Sequence, residues 1–335
     1  MGRIGKQTVN FPSAPRIEAY ISVVGKKESE GPLGECFDVI TKDAFLGEET
    51  WEKAESRLFE TGYNSILQKA GISSGDINYI FAGDLLNQCT ASAFGMKDCN
   101  VPYFGIFGAC STMAEGMTLA AMLTDGGFSE KSVAAAGSHF CSAEKQFRFP
   151  LEYGGQRPPS AQWTVTGFGA VCIGKTGNVK ITEATTGIIT DYGIKDAANM
   201  GAAMAPAFVS TLCAHFKDTG RTPSYYDMIL SGDLGLVGKD IANELMKKEG
   251  YDISENYNDC GAMIFDPESQ DTHSGGSGCG CSASVLCGYI LPRMEIGELK
   301  NVLFIATGAL MSPTSSQQGN SIPSVAHAIA LNSAM

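Results

Sequence analysis

The chain has 335 residues, 40 of them glycine, with 44% hydrophobic and 18% charged residues and a net charge of -12. That length holds a sizeable core or two similar halves, and the acidic balance leaves no basic stripe to displace counterions from nucleic-acid phosphates. No stretch reaches the roughly 20 apolar residues a membrane span needs, and the opening "MGRIGKQTVNF" lacks the apolar core of a leader. Eleven cysteines are an odd count at low density, and several sit in apolar runs such as "GAVCIG" and "SVLCGYI". Buried free thiols and synthesis in the reducing cytoplasm follow from that pattern.

In chain order, "ESRLFETGYNSILQKAGI" (55–72) has apolar residues at helical spacing and a glycine near its end, and "NYIFAGDLL" (78–86) is a strand running into Gly-Asp-Leu. The run "YFGIFG" (103–108) reads as a buried strand and "STMAEGMTLAAML" (111–123) as a helix. Cys110 therefore stands at a helix start, where unsatisfied N–H groups and the positive end of the dipole favour thiolate. Spacing alone leaves it open as a nucleophile, a pocket-lining residue or an inert packed thiol. The strand "SVAAAGS" (132–138) is followed by His139, which places that histidine at the sheet edge that carries ligands. Lys145, Arg148 and Arg157 then fall within thirteen residues of an acidic chain. Each alone reads as a solvated cation; together they offer charge for an anion, with Arg148 favoured for bidentate carboxylate contact.

The second half repeats the first. "APAFVSTLCAHFKDTG" (205–220) is another helix closed by glycine, and "DMILSGDLG" (227–235) another strand running into Gly-Asp-Leu. "GACS" (108–111) precedes a helix and the strand "SVAAAGS", as "CGCS" (279–282) precedes a helix and the strand "NVLFIATGA". Two matching pairs in one order indicate duplication, with halves at 1–178 and 179–335. Alternating strands and helices imply mainly parallel sheets covered on both faces. His215 and His327 read as structural. Cys279 and Cys281 are two apart with no second ligand pair, which argues against zinc, and no loop has an EF-hand spacing.

The stretch "FGACSTMAEGMTLA" resembles the cysteine elbow of the thiolase and β-ketoacyl synthase III superfamily. "TVTGFGAVCIG" (164–174), "THSGGSGCGCSASVL" (272–286) and "LFIATGALMSPT" (303–314) resemble, in order, its glycine-alanine strand, histidine-glycine segment and closing glycine loop. The resemblance covers essentially the whole chain. It implies an α/β thiolase-like duplicated fold, two mainly parallel sheets with helices between and outside in five αβαβα layers. On the family pattern Cys110 takes the nucleophile position, His273 one of two polar positions in the second half, and Gly308 the loop completing the oxyanion site. The second polar residue should follow "DMIL", where only Ser231, Gly232 and Asp233 are offered, so the proton-handling set is incomplete.

Two further stretches, "EKQFRFPLEYGGQRPPSAQWTVTGFGA" (144–170) and "FPSAPRIEAYISVVGKKESEGPLGECFD" (11–38), resemble the stage V sporulation protein AD branch of that superfamily. The branch implies a binding protein for dipicolinate (pyridine-2,6-dicarboxylate), with calcium accompanying the ligand and no other cofactor. It also implies a protein held at the inner spore membrane by other stage V sporulation A subunits, while the wider thiolase resemblance implies a homodimer formed through the N-terminal halves. The expected pocket draws on Cys110, His139, Lys145, Arg148, Arg157, His273 and Gly308. The alternative is a working synthase III-like acyltransferase with Cys110 as nucleophile and His273 beside it.

Overall fold

The computed structural model describes residues 2–147 and 156–335. Arg148 lies outside the described residues. The first strands are β1 (Thr8–Asn10), β2 (Arg16–Gly25), β3 (Val39–Thr41), β4 (Tyr79–Gly83), β5 (Tyr103–Gly105), β6 (Ser132–Ser138), β7 (Trp163–Thr164) and β8 (Gly167–Gly174). They are followed by β9 (Val179–Thr186), β10 (Met228–Ser231), β11 (Tyr257–Asp259), β12 (Gly276–Ser277), β13 (Asn301–Ala309) and β14 (Ser324–Ser333). Between them run α1 (Lys26–Ser29), α2 (Trp51–Ala70), α3 (Thr90–Met96), α4 (Thr112–Asp125) and α5 (Phe140–Phe147). The later helices include α6 (Met200–Thr219), α7 (Gly235–Lys248), α8 (Cys260–Ile264) and α9 (Cys279–Val285).

The strands pair in two matching sets, β5-β4-β6-β8-β2 and β11-β10-β13-β14-β9. In each set four strands share one direction and one, β8 or β14, is reversed. The sets meet at one corner, where Arg16 and Ile17 pair with Lys180 and Val179, and β1 crosses over to pair with β9.

Side-chain alternation along the strands sorts the core into layers. Val133 and Ala135 of β6 face α2, packing with Leu58 and Phe59, whereas Ala134 and Ala136 face the interior with Met113 and Met117 of α4. Leu303 and Ile305 of β13 face Phe208 and Leu212 of α6; Val302, Phe304 and Ala306 face inward. Helices α4 and α9 thus lie between the sheets, α2 outside one and α6 outside the other. Gly169 explains how α9 comes so close to β8: a Cβ there would stand 2.3 Å from the Ala283 carbonyl oxygen.

Both glycine-ended helices close as their sequences indicate. Thr50 caps α2 by accepting from the Lys53 N–H and Asn199 caps α6 by accepting from the Ala202 N–H. Gly71 and Gly220 end the two helices at φ of 65° and 69°, a left-handed conformation that glycine adopts without strain. The run "YFGIFG" departs from expectation. Only Tyr103–Gly105 is strand, it is the outermost of its set, and Phe104 and Phe107 are about half exposed. No described helix is long and apolar enough to cross a membrane.

Candidate functional site

Cys110 sits in a single tight turn, Ala109–Ser111, that joins β5 to α4. The turn is held by the Ser111 N–H and hydroxyl on the Gly108 carbonyl (3.0 and 2.7 Å) and by the Thr112 hydroxyl on the Ala109 carbonyl (2.7 Å). Ala109 pays for the sharp reversal with a φ of 50°, a strained value for a residue with a Cβ. Gly308 of β13 packs against this turn, and a Cβ there would stand 2.1 Å from the Gly108 oxygen. Its role is to let β13 approach the cysteine.

In front of Cys110 lies a cavity of about 550 Å³ whose wall includes Phe140, Glu144, Arg157, Met200 and Ser277. The Arg157 guanidinium lies 4.2 Å from the Trp163 ring centre and 5.4 Å from that of Phe140, and those two rings stack 3.9 Å apart. Its Nη2 is 3.8 Å from Glu144 Oε1. A guanidinium laid on aromatic faces is fixed in orientation and poorly hydrated, which suits it to a planar carboxylate.

Behind the sulfur stands Asp233, fully buried and near enough for its charge to act on the Cys110 thiol. Its Oδ1 accepts from the Thr307 hydroxyl at 3.0 Å, and its Oδ2 from the Gly278 N–H at 2.8 Å and the Ser277 hydroxyl at 3.2 Å. Burial raises its pKa to about 7, the donors offsetting only part of the desolvation. The loop that carries Asp233 is clamped by Asp259, which accepts from the N–H groups of Leu234 (2.8 Å) and Gly235 (2.8 Å) and from the Ser231 hydroxyl (2.6 Å).

This arrangement corrects the thiolate expectation. Burial first, and the Asp233 charge second, push the Cys110 pKa well above the ordinary thiol value. The resting group is a thiol.

Of the remaining expected site residues, three lie elsewhere. His139 accepts the Cys141 N–H at Nδ1 (3.2 Å) and so donates from Nε2 to the Ala44 carbonyl (2.7 Å). It is neutral, with its pKa lowered by burial, and anchors the start of α5 rather than lining the cavity. Lys145 is exposed and pairs with Glu52 at 2.6 Å. His273 has its Nε2 3.5 Å from Asp271 Oδ1, and the cavity wall at this segment is Ser277 instead. Cys110 and Arg157 thus meet at one cavity, with Gly308 supporting the turn.

Sequence reasoning named Asp233 only to dismiss it as the second polar residue, and gave no role to Glu144 or the Phe140–Trp163 stack. For Asp233 the signal was present: the repeated Gly-Asp-Leu ends a strand at the ligand-bearing edge of both halves. Its counterpart Asp84 is also buried, but accepts from the N–H groups of Leu86 (2.8 Å) and Ser92 (2.7 Å), a purely local role.

The stage V sporulation protein AD (SpoVAD) family model matches residues 5–332. The chain belongs to the stage V sporulation protein AD family. Stage V sporulation protein AD of Bacillus subtilis (strain 168) is 44% identical over 326 residues, covering 97% of this chain and 96% of that protein. Among solved structures, 3-oxoacyl-[acyl-carrier-protein] synthase III of Aquifex aeolicus VF5 superposes with a TM-score of 0.57 at 13% identity, covering 95% of this chain and 99% of its own. OleA of Xanthomonas campestris gives 0.62 at 14% identity, covering 96% and 99%. At such identities the likeness shows the fold: this sporulation family has the thiolase-like, synthase III-like architecture.

Proposed function

We propose that the chain binds dipicolinate, accompanied by calcium, in the cavity in front of Cys110 as part of the spore's uptake and release machinery, without turning the ligand over. The observation that carries this reading is Arg157, a mostly buried guanidinium laid on Trp163 and Phe140 at the wall of a cavity about 550 Å³ in volume. A planar dianion needs an apolar slot with donors near its ends. Phe140 and Met200 supply apolar wall, and Arg157 and Ser277 supply donors. Family membership supports the choice of ligand and the placement at the inner spore membrane, where other stage V sporulation A subunits hold the protein. Calorimetry with sodium dipicolinate tests the reading. Saturable binding is expected, weakened about 10–100-fold by Arg157→Ala through loss of charge-assisted hydrogen bonds; no heat at millimolar ligand contradicts it.

One observation favours acyl transfer as a second reading: a buried carboxyl, Asp233, stands near the Cys110 thiol. The raised thiol pKa and the position of His273 away from the cavity weigh against it. Intact-mass analysis after incubation with acyl-coenzyme A is expected to show no adduct. A stable adduct that disappears in Cys110→Ala restores the enzyme.

A homodimer is part of the same proposal. Among the described residues strand β5 pairs on one side only, with β4, and half-exposed Phe104 within it and Phe107 just beyond it form a surface that a second copy covers by extending the sheet. Light scattering is expected to give twice the chain mass of 35.3 kDa; a monomer mass removes this element.

A further inference from the structure

We infer that dicarboxylate binding in this cavity is coupled to uptake of a proton by Asp233, an inference that rests on the dipicolinate reading above. Asp233 does not line the cavity, but Ser277, which does, donates a hydrogen bond to it at 3.2 Å, and Cys110, which also does, lies close enough to feel its charge. A dianion resting on Cys110 therefore stands one side chain away from a buried carboxyl.

The groups facing that carboxyl are acids or neutral donors. They are Cys110 from the turn, Ser277 and the Gly278 N–H ahead of α9, Thr307 from β13 and Asp259 from β11. The buried thiols of Cys260, Cys279 and Cys281 also feel its charge. Among the described residues no ion pair reaches Asp233, and the cavity wall adds a second carboxyl, Glu144, beside Arg157. With water excluded by the ligand, the repulsion between dianion and carboxylate is poorly screened. Protonation from solvent removes it without breaking any covalent bond.

The hydrogen bonds rearrange consistently. With Asp233 ionised, the Ser277 hydroxyl donates to Oδ2 at 3.2 Å, the longest of the contacts. With Asp233 protonated, that hydroxyl accepts instead and its own hydrogen is released toward the cavity, where a ligand carboxylate accepts it. One proton thus removes a repulsion and creates a donor.

The test is calorimetry with sodium dipicolinate and no divalent cation, in pairs of buffers of different ionisation enthalpy, between about pH 6 and pH 8, where dipicolinate itself is fully ionised. The expected result is close to one proton taken up per ligand at about pH 8 and an affinity that falls roughly tenfold from pH 6 to pH 8. Asp233→Asn, which keeps the group neutral, flattens that profile; should the variant fail to fold, the wild-type proton count decides alone. Binding with no proton uptake and a flat profile overturns the inference and leaves the dipicolinate reading standing. No binding at any pH removes that reading, and the inference with it.

Discussion

Asp259→Ala is expected to unfold at a much lower urea concentration than the parent chain, a loss of about 3–5 kcal/mol. The Asp259 carboxylate is fully buried and accepts from the N–H groups of Leu234, Gly235 and Ala262 (2.8, 2.8 and 3.0 Å) and from the Ser231 hydroxyl (2.6 Å). Removing it strands three backbone donors away from water, each costing about 1–3 kcal/mol less whatever relaxation recovers. Asp259→Asn keeps one acceptor oxygen and is expected to fall between the two. The same deletion loosens the loop that sets Asp233 against Cys110, so dipicolinate affinity should weaken along with stability. A loss below about 1 kcal/mol would show that this loop is held by something other than the carboxylate.

The second large effect is a fall in stability as pH rises from about 6.5 to 8, by roughly 2–4 kcal/mol in urea unfolding. Burial raises the pKa of Asp233 and of Glu28 to about 7 each, and that of Glu55 well above the carboxylate range. A group that binds its proton more tightly when folded stabilises the fold fully below its unfolded pKa and loses that contribution as pH climbs through the folded value. The buried histidines work in the opposite sense. His139, His215 and His327 are held neutral by burial, with pKa values lowered, those of His215 and His327 to about 3 and about 4. Their contribution is lost as pH falls below the ordinary histidine value, which leaves the window above about pH 6.5 to the acids. Stability that is flat or rises across that window would mean these carboxyls are solvated. Asp233→Asn should remove part of the slope.

The features legible in the sequence are those that neighbouring residues decide. Gly71 and Gly220 mark helix ends because only the local backbone is involved, and the repeated strand and Gly-Asp-Leu pattern exposes the duplication because each half folds by the same short-range rules. What failed depends on the other half of the chain. The helix start beside Cys110 is visible in "GACSTM", yet the thiol's state is set by burial under the second half and by Asp233. The exposure of "YFGIFG" follows from strand order, which places β5 at an edge. His273 was assigned through resemblance, but its loop runs through left-handed backbone at Asp271 (φ 52°), His273 (φ 51°) and Gly275 (φ 99°), and its ring lies beside Asp271. Arg157 was one of several cations by composition; stacking on two aromatic rings distinguishes it from Lys145, which pairs with Glu52 at the surface.

The most direct measurement is a crystal structure of the chain grown with dipicolinate. The account predicts the ring in the cavity in front of Cys110, one carboxylate on the Arg157 guanidinium and the other within reach of Ser277, with no bond to sulfur. Dipicolinate bound elsewhere on the chain, or a cavity that stays empty at saturating ligand, would contradict it.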